Sequence, residues 1–247
     1  MATAKSAPRS FDQPIYVTRP MLPPVERFAS CMAEVWDAQW LTNGGPKHVA
    51  LEAALGAHLD AGNLSLFNNG TIALITACQA LRLSGEVITT PFTFAATPHV
   101  LSWNNITPVF ADIDPVTMNL DPRNIEPLIT NRTSAILAVH VFGTPCDVEG
   151  IQAIADRNGL KVIYDGAHAF GTTVGGESVT CFGDATMLSF HATKLFHTAE
   201  GGALVVRNSG HKKRVDFLEN FGIPDETTVL MPGITGQMSE PQASLGR

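Results

Sequence analysis

Short apolar runs recur along the chain, separated by polar and glycine-containing segments. Most of these runs are rich in Val, Ile, Leu and Phe, which is typical of strands that are buried on both faces of a sheet. They predict strands at 64–67, 86–90, 107–113, 134–142, 160–165, 185–190 and 201–206.

Helical segments lie between these strands, and the pattern predicts them at 71–83, 95–103, 121–129 and 147–159. The last begins at Asp147 and ends at Gly159, two residues that favour helix ends. Strands and helices that alternate in this way predict an α/β fold, with a mostly parallel sheet of seven strands between helices. Such sheets bind ligands beyond the carboxyl ends of their strands, so the residues that follow each strand are the candidates for function.

Composition and charge narrow the class of protein. The 247 residues are 45% hydrophobic and carry a net charge of -7 without a run of Lys or Arg, which argues against nucleic acid and membrane surfaces as partners. The polar N-terminal arm has no signal-peptide core, and no run of apolar residues is long enough to span a membrane. The four cysteines form no CxxC pair, which favours free thiols, so we expect one cytoplasmic domain.

The first candidate strand end is FNNGTIAL, where a strand gives way to a helix at Gly70 and Thr71. Glycine allows close approach of the backbone, and the free N–H groups at a helix start favour an anion such as phosphate. An ordinary turn is the simpler interpretation of this segment alone. Because the chain contains neither GxGxxG nor GxxxxGK[ST], dinucleotide and P-loop sites lack their usual support.

Two more strand ends carry reactive side chains. Asp165 ends the strand of VIYDGAHAFG and is followed by His168, and Lys194 follows the strand in SFHATKLFHTAEGGALVV. Taken singly, a turn aspartate, a core or surface histidine and a lysine that reaches solvent are the simpler interpretations. Together with a phosphate cradle, however, a strand-end carboxylate and lysine are the parts needed to hold pyridoxal phosphate (PLP).

At these motifs the sequence resembles the DegT/DnrJ/EryC1/StrS sugar aminotransferases, PLP enzymes with the fold of aspartate aminotransferase (fold type I). The resemblance runs from WLTNGGPKHVALEAAL through NNGTIAL, PFTFAAT and YDGAHAFG to SFHATKLFHTAEGGALVV. It implies one PLP-binding large domain at 1–247 with an N-terminal arm.

The resemblance also implies a role for each matching residue. Lys194 would be the Schiff-base lysine and proton shuttle, and Asp165 would pair with the pyridinium nitrogen. The remaining implied contacts are His168 near the ring hydroxyl, Phe94 on the ring face, and Gly70, Thr71 and Ser189 at the phosphate.

Further segments, among them IYVTRPMLPPVERF and SLFNNGTIAL, resemble the subgroup that makes 4-amino-4,6-dideoxyglucose on a dTDP carrier. The implied reaction moves an amino group from an amino acid, with glutamate the usual donor, to a nucleotide-linked 4-keto-6-deoxy sugar. The implied assembly is a homodimer with shared active sites. An oxidoreductase or epimerase acting on the same sugar nucleotides fits the fold class but lacks the glycine fingerprint.

The resemblance breaks near the end of the chain. Thr235 stands where the family has an asparagine that reaches the neighbouring subunit's cofactor phosphate. Gln237 stands where the family has the basic residue that follows. The resemblance implies a smaller C-terminal domain after this segment, so we expect the sequence to be a fragment or a truncated gene product. A truncated paralogue that binds PLP or a partner subunit, with weak or no catalysis, is therefore the alternative.

Overall fold

The computed structural model describes residue 11 and residues 13–247, so most of the predicted N-terminal arm lies outside the described residues. In chain order the strands are β1 (Leu64–Phe67), β2 (Glu86–Thr89), β3 (Thr107–Phe110), β4 (Thr133–Val139), β5 (Lys161–Asp165), β6 (Thr173–Val174), β7 (Glu177–Ser178), β8 (Ala185–Ser189) and β9 (Gly202–Val206). All seven predicted strands form one sheet, and β6 and β7 form a separate hairpin.

The sheet has the order β1-β9-β8-β5-β4-β2-β3 and is mostly parallel, as predicted. Only β9 is antiparallel to its neighbours, β1 and β8, and every other pair is parallel. Because β9 is antiparallel to both β1 and β8, β1 runs parallel to β8 and to β5. The carboxyl ends of these three strands therefore lie at one edge of the sheet.

The helices are α1 (Val25–Ala38), α2 (Pro46–His58), α3 (Gly70–Ala80), α4 (Ala96–Trp103), α5 (Val148–Asn158), α6 (Ser209–Leu218) and α7 (Glu240–Leu245). Three predicted helices are present as α3, α4 and α5. The end signals of α5 function as expected, because the Asp147 side chain accepts from the N–H of Gly150 and Gly159 adopts a left-handed φ of 65°. Helices α1, α2, α6 and α7 lie outside the predicted segments.

One predicted helix and the ends of several predicted segments are wrong; the strand predicted at 107–113, for example, ends at Phe110. The segment predicted as a helix at 121–129 forms two 3-10 turns, Pro122–Asn124 and Glu126–Leu128. Proline lacks the N–H that an α-helix needs, and Pro127 in the middle of this segment prevents a continuous helix. The strand predicted at 134–142 ends at Val139, because the chain turns at Val141–Gly143 with Phe142 in a left-handed conformation.

Helices cover both faces of the sheet. One buried cluster packs α3, α4 and α6 on the sheet, and a second packs α5 on the opposite face. Alternate residues of a strand belong to different clusters: Ile163 of β5 to the first and Tyr164 to the second. The same alternation directs Asp165, the next residue, towards the face that carries α3 and α4.

Candidate active site

A cavity of about 410 Å³ opens at the edge where β1, β5 and β8 end. Its size is within the range of small-molecule sites. The cavity brings together all but one of the predicted site residues, which are Gly70, Thr71, Phe94, Asp165, His168, Ser189 and Lys194.

Asp165 is the buried acid of this cavity, with only 4% of its surface exposed. Its Oδ2 accepts a hydrogen bond from the Thr97 hydroxyl at 2.7 Å, and its Oδ1 accepts one from the Ala167 N–H at 3.0 Å. Burial raises the pKa of this carboxyl, although the two hydrogen bonds and the positive charge of Lys194 act the other way. A cationic nitrogen at this position would therefore be a strong partner for the carboxylate.

Lys194 lies in the loop after β8 and is partly buried. Its backbone N–H donates to the carbonyl of His191 at 2.8 Å, which fixes a turn next to the cavity. Partial burial lowers the pKa of the Lys194 amine, and the charge of Asp165 opposes this shift. A lysine with a lowered pKa is a better nucleophile near neutral pH, because more of it is unprotonated.

The start of α3 has the geometry expected of the anion cradle that the sequence predicts. The Asn69 side chain caps the helix by accepting from the N–H of Ile72 at 2.9 Å. Gly70 and Thr71 belong to the first turn, whose N–H groups have no acceptor within the helix. A Cβ at Gly70 would lie 2.8 Å from Met187 Sδ and 3.3 Å from Ser189 Cβ, so a larger residue here would require the Met187 side chain to move.

Two ring-bearing side chains border the cavity. His168 stacks on Phe142 with ring centroids 6.1 Å apart, and partial burial together with the charge of Lys194 lowers the pKa of its imidazole. Phe94 is 80% exposed. Its backbone carbonyl accepts from the N–H of Thr97 at 3.1 Å, which ties the residue to the start of α4. The ring is thus available to contact a molecule in the cavity.

Comparisons with known proteins agree with this geometry. A profile of the DegT/DnrJ/EryC1/StrS aminotransferase family matches residues 25–247. The chain belongs to this family.

The relatives of the chain include sugar-nucleotide enzymes. The dTDP-4-amino-4,6-dideoxy-D-glucose transaminase of Shigella dysenteriae is 52% identical over 235 residues, and that of Escherichia coli is 51% identical over 240 residues. Each alignment covers 95% of this chain and 64% of the relative, so the chain spans less than two thirds of their length.

Solved structures show the same fold. DesI, crystallised in the presence of its TDP-sugar product, superposes with a TM-score of 0.91 at 40% identity over 97% of this chain and 61% of that one. NtdA of Bacillus subtilis, solved with bound cofactor PMP, gives a TM-score of 0.85 at 30% identity, over 90% of this chain and 51% of that one. The predicted α/β fold of the fold type I aminotransferases is confirmed.

Thr235 is the predicted site residue that the structure does not bring to the cavity. It is exposed and forms an isolated bridge with Asn220, away from the cavity lining. The resemblance to the DegT/DnrJ/EryC1/StrS family places its counterpart at the neighbouring subunit's cofactor, and a contact of that kind stays a prediction.

The cavity also contains residues that the sequence did not single out. Polar members of this set are Asn69, Thr93, His140, His191, Thr193 and Glu200. His191 and Glu200 belong to the same family motif as Lys194, so their proximity to the lysine was the available signal. The histidine on the other side of Lys194, His197, points away, with its Nε2 3.0 Å from the carbonyl oxygen of Met21.

Other classes of site find no support in the part of the chain that the structure describes. Residue 11 and residues 13–247 include no group of three or more His, Cys, Asp or Glu side chains placed to hold a metal ion. Within the same residues, every helix is too short or too polar to span a membrane.

Proposed function

We propose that this chain is the PLP-binding part of an aminotransferase that transfers an amino group from an amino acid, L-glutamate, to a nucleotide-linked 4-keto-6-deoxy sugar. The observation that carries the proposal is the convergence of Asp165, Lys194 and the start of α3 on one cavity. The 52% identical relative is named for a dTDP-linked amino sugar, which supports the substrate class. The family assignment also speaks against the oxidoreductase or epimerase alternative.

The residues present fit PLP in charge and in shape. The cofactor has a phosphate, which suits the first turn of α3, where a side chain at Gly70 would fill the space next to Met187 and Ser189. It also has a ring nitrogen that can carry a proton, which suits the buried Asp165 carboxylate. When bound, PLP supplies an aldehyde that reacts with amines and a ring that withdraws electrons from the attached substrate.

Each residue of the cavity would contact a different part of the cofactor. Gly70, Thr71 and Ser189 would bind the phosphate, and Asp165 would hold the proton on the ring nitrogen, with Thr97 keeping its carboxylate in place. His168 would lie near the ring hydroxyl and Phe94 would contact the ring face. Lys194 would hold the cofactor and then carry protons at its Nζ, for which its lowered pKa is suited.

We also propose a homodimer with shared active sites, in which Thr235 faces the partner subunit. The cytoplasm is the proposed location, because all four cysteines are free thiols, which suits a reducing compartment. The proposed biological role is the synthesis of deoxyamino sugars for a surface polysaccharide such as O-antigen or lipopolysaccharide.

A spectrum tests the cofactor assignment. Purified protein that has been incubated with PLP and then freed of unbound PLP should gain a visible absorbance band that borohydride removes. Lys194→Ala should not gain the band, whereas Lys213→Ala, which changes an exposed lysine on α6 outside the cavity, should gain it as the wild type does. The assignment fails if the wild type stays colourless or if Lys194→Ala gains the same band.

A second candidate function is favoured by Thr235, which is shorter than asparagine and has no amide donor. In this alternative the chain binds PLP or a partner subunit without turnover. The two candidates differ in one measurement. Glutamate added to the PLP-loaded protein should release 2-oxoglutarate if the chain is an aminotransferase, and should release none if it is a silent paralogue.

A further inference from the structure

The cavity contains a histidine and a glutamate that the proposed roles leave unassigned. His191 Nε2 lies 3.5 Å from Glu200 Oε1, and both residues line the cavity next to Lys194. Their side chains are 46% and 59% exposed, whereas Asp165 is buried. The pair therefore lies at the opening of the cavity, where a substrate would enter.

Thr193 determines which nitrogen of His191 carries the proton. Its backbone N–H donates to His191 Nδ1 at 3.2 Å, and its hydroxyl oxygen lies 2.9 Å from the same atom. A ring nitrogen that accepts an N–H hydrogen bond carries no proton, so the proton of the neutral ring is on Nε2. Nε2–H is the donor that faces Glu200.

Hydrogen bonds also fix the backbone of Glu200. Its carbonyl oxygen accepts hydrogen bonds from Gln242 Nε2 and from the Thr198 hydroxyl, each at 2.8 Å. The preceding residue, Ala199, has a left-handed φ of 64°, which is uncommon for a residue with a side chain. The turn thus places a carboxylate at the opening, with His191 Nε2 3.5 Å from one of its oxygens.

We propose that Glu200, oriented by His191, binds the hydroxyl groups of the acceptor sugar. This inference rests on the proposed function and names a specificity residue for it. A carboxylate only accepts hydrogen bonds, and a sugar ring offers several hydroxyl donors. The same negative charge repels a diphosphate, and it also repels a donor such as glutamate, which carries two carboxylates. The neutral ring of the nucleotide sugar is the part of either substrate that best matches Glu200.

The affinities of the PLP-loaded protein for two ligands distinguish contacts with the sugar from contacts with its nucleotide carrier. Calorimetric titration with dTDP-glucose and with dTDP should give similar dTDP affinity in wild type and Glu200→Gln. The affinity for dTDP-glucose should fall ~10- to 100-fold in Glu200→Gln, because a charge-assisted hydrogen bond is lost. Glu149→Gln is the matched control, since this exposed glutamate on α5 does not line the cavity, and it should bind both ligands like the wild type.

Two substitutions of His191 test whether it is a positioning residue. His191→Asn removes the donor at the Nε2 position and should weaken dTDP-glucose binding in the same direction as Glu200→Gln. His191→Gln places an amide N–H near that position and should restore part of the affinity. Equal loss in both variants would mean that the ring supports the loop without orienting Glu200, which would overturn its role.

The outcomes also separate this inference from the proposed function. If the wild type takes up PLP but Glu200→Gln binds dTDP-glucose as tightly as the wild type does, the inference is overturned and the cofactor assignment stands. Equal weakening of dTDP and dTDP-glucose binding also overturns it. If the wild type takes up no PLP, the proposed function and the inference both fall.

Discussion

The hydrogen bond from Thr97 to Asp165 offers a sharp test of how the site is built. Thr97 is fully buried on α4, and its hydroxyl donates to Asp165 Oδ2 at 2.7 Å. Replacing Thr97 by valine keeps nearly the same shape, removes this donor and also removes the hydrogen bond between the Thr97 and Thr93 hydroxyl groups, whose oxygens lie 2.7 Å apart. The carboxylate then retains one hydrogen bond, from the N–H of Ala167 at 3.0 Å.

The size of the effect should depend on pH. A hydrogen bond to a charged group contributes about 1.5–3 kcal/mol, and this is the expected loss of unfolding free energy when Asp165 is ionised. Burial raises the pKa of Asp165 in the folded state, so its contribution to stability is largest at low pH and is lost as pH rises through that pKa. Thr97→Val raises the pKa further. The difference from wild type should therefore grow with pH.

Urea unfolding of the cofactor-free protein at pH 5 and pH 8 measures this difference. Thr76→Val is the matched control, because Thr76 is a buried threonine on α3 whose hydroxyl has no hydrogen-bond partner among the described residues. This control should lose little stability and show no added pH dependence. Equal losses in the two variants, or a Thr97→Val loss that does not change with pH, would refute the assigned role of the Thr97 hydroxyl.

Four further predictions concern other parts of the structure. Gly70→Ala should cost about 1–3 kcal/mol in urea unfolding and weaken PLP binding, because its Cβ would lie 2.8 Å from Met187 Sδ; unchanged values would contradict the cradle. Glu240→Gln should destabilise the fold by about 1–3 kcal/mol, because the buried carboxylate accepts two backbone N–H bonds at the start of α2; a thermal midpoint equal to wild type would argue against this. Glu219→Gln should raise the free energy of unfolding at high pH and change it little at low pH, because burial raises the pKa of Glu219 and its ionisation opposes folding. Urea titrations measure this, and a lower free energy of unfolding at high pH would contradict the prediction. The rate at which Lys194 reacts with PLP should reach its half-maximum at a lower pH than that of an exposed lysine, because its pKa is lowered; a midpoint at the ordinary lysine value would count against this.

The strands, together with the ends of β1 and β5, were the predictable part of the fold. A strand that is buried on both faces is mostly apolar, so β5 is visible in the sequence as VIY followed by a carboxylate. In a parallel sheet the carboxyl ends of the strands share one edge. Asp165, Lys194 and Gly70 could therefore be expected to meet, even though 124 positions separate Gly70 from Lys194 in the sequence.

Features that depend on distant or irregular backbone were not predictable. The segment 121–129 has helical spacing, but its prolines allow only 3-10 turns. The His191–Glu200 pair depends on a left-handed residue, Ala199, and on the side chain of Gln242, which lies far along the chain and holds the Glu200 carbonyl. Local sequence patterns do not predict contacts of this kind.

One physical cause, removal from water, acts in opposite directions on the two central groups of the cavity. It raises the pKa of Asp165 and lowers that of Lys194, because in each case burial disfavours the charged form. Thr97 and Ala167 limit the shift at Asp165 by donating hydrogen bonds, whereas the Lys194 amine has no hydrogen-bond acceptor among the described residues. The acid is thus kept able to hold a cationic ring nitrogen, and the amine is left ready to lose its proton. These are the two properties that the proposed transamination requires of this pocket.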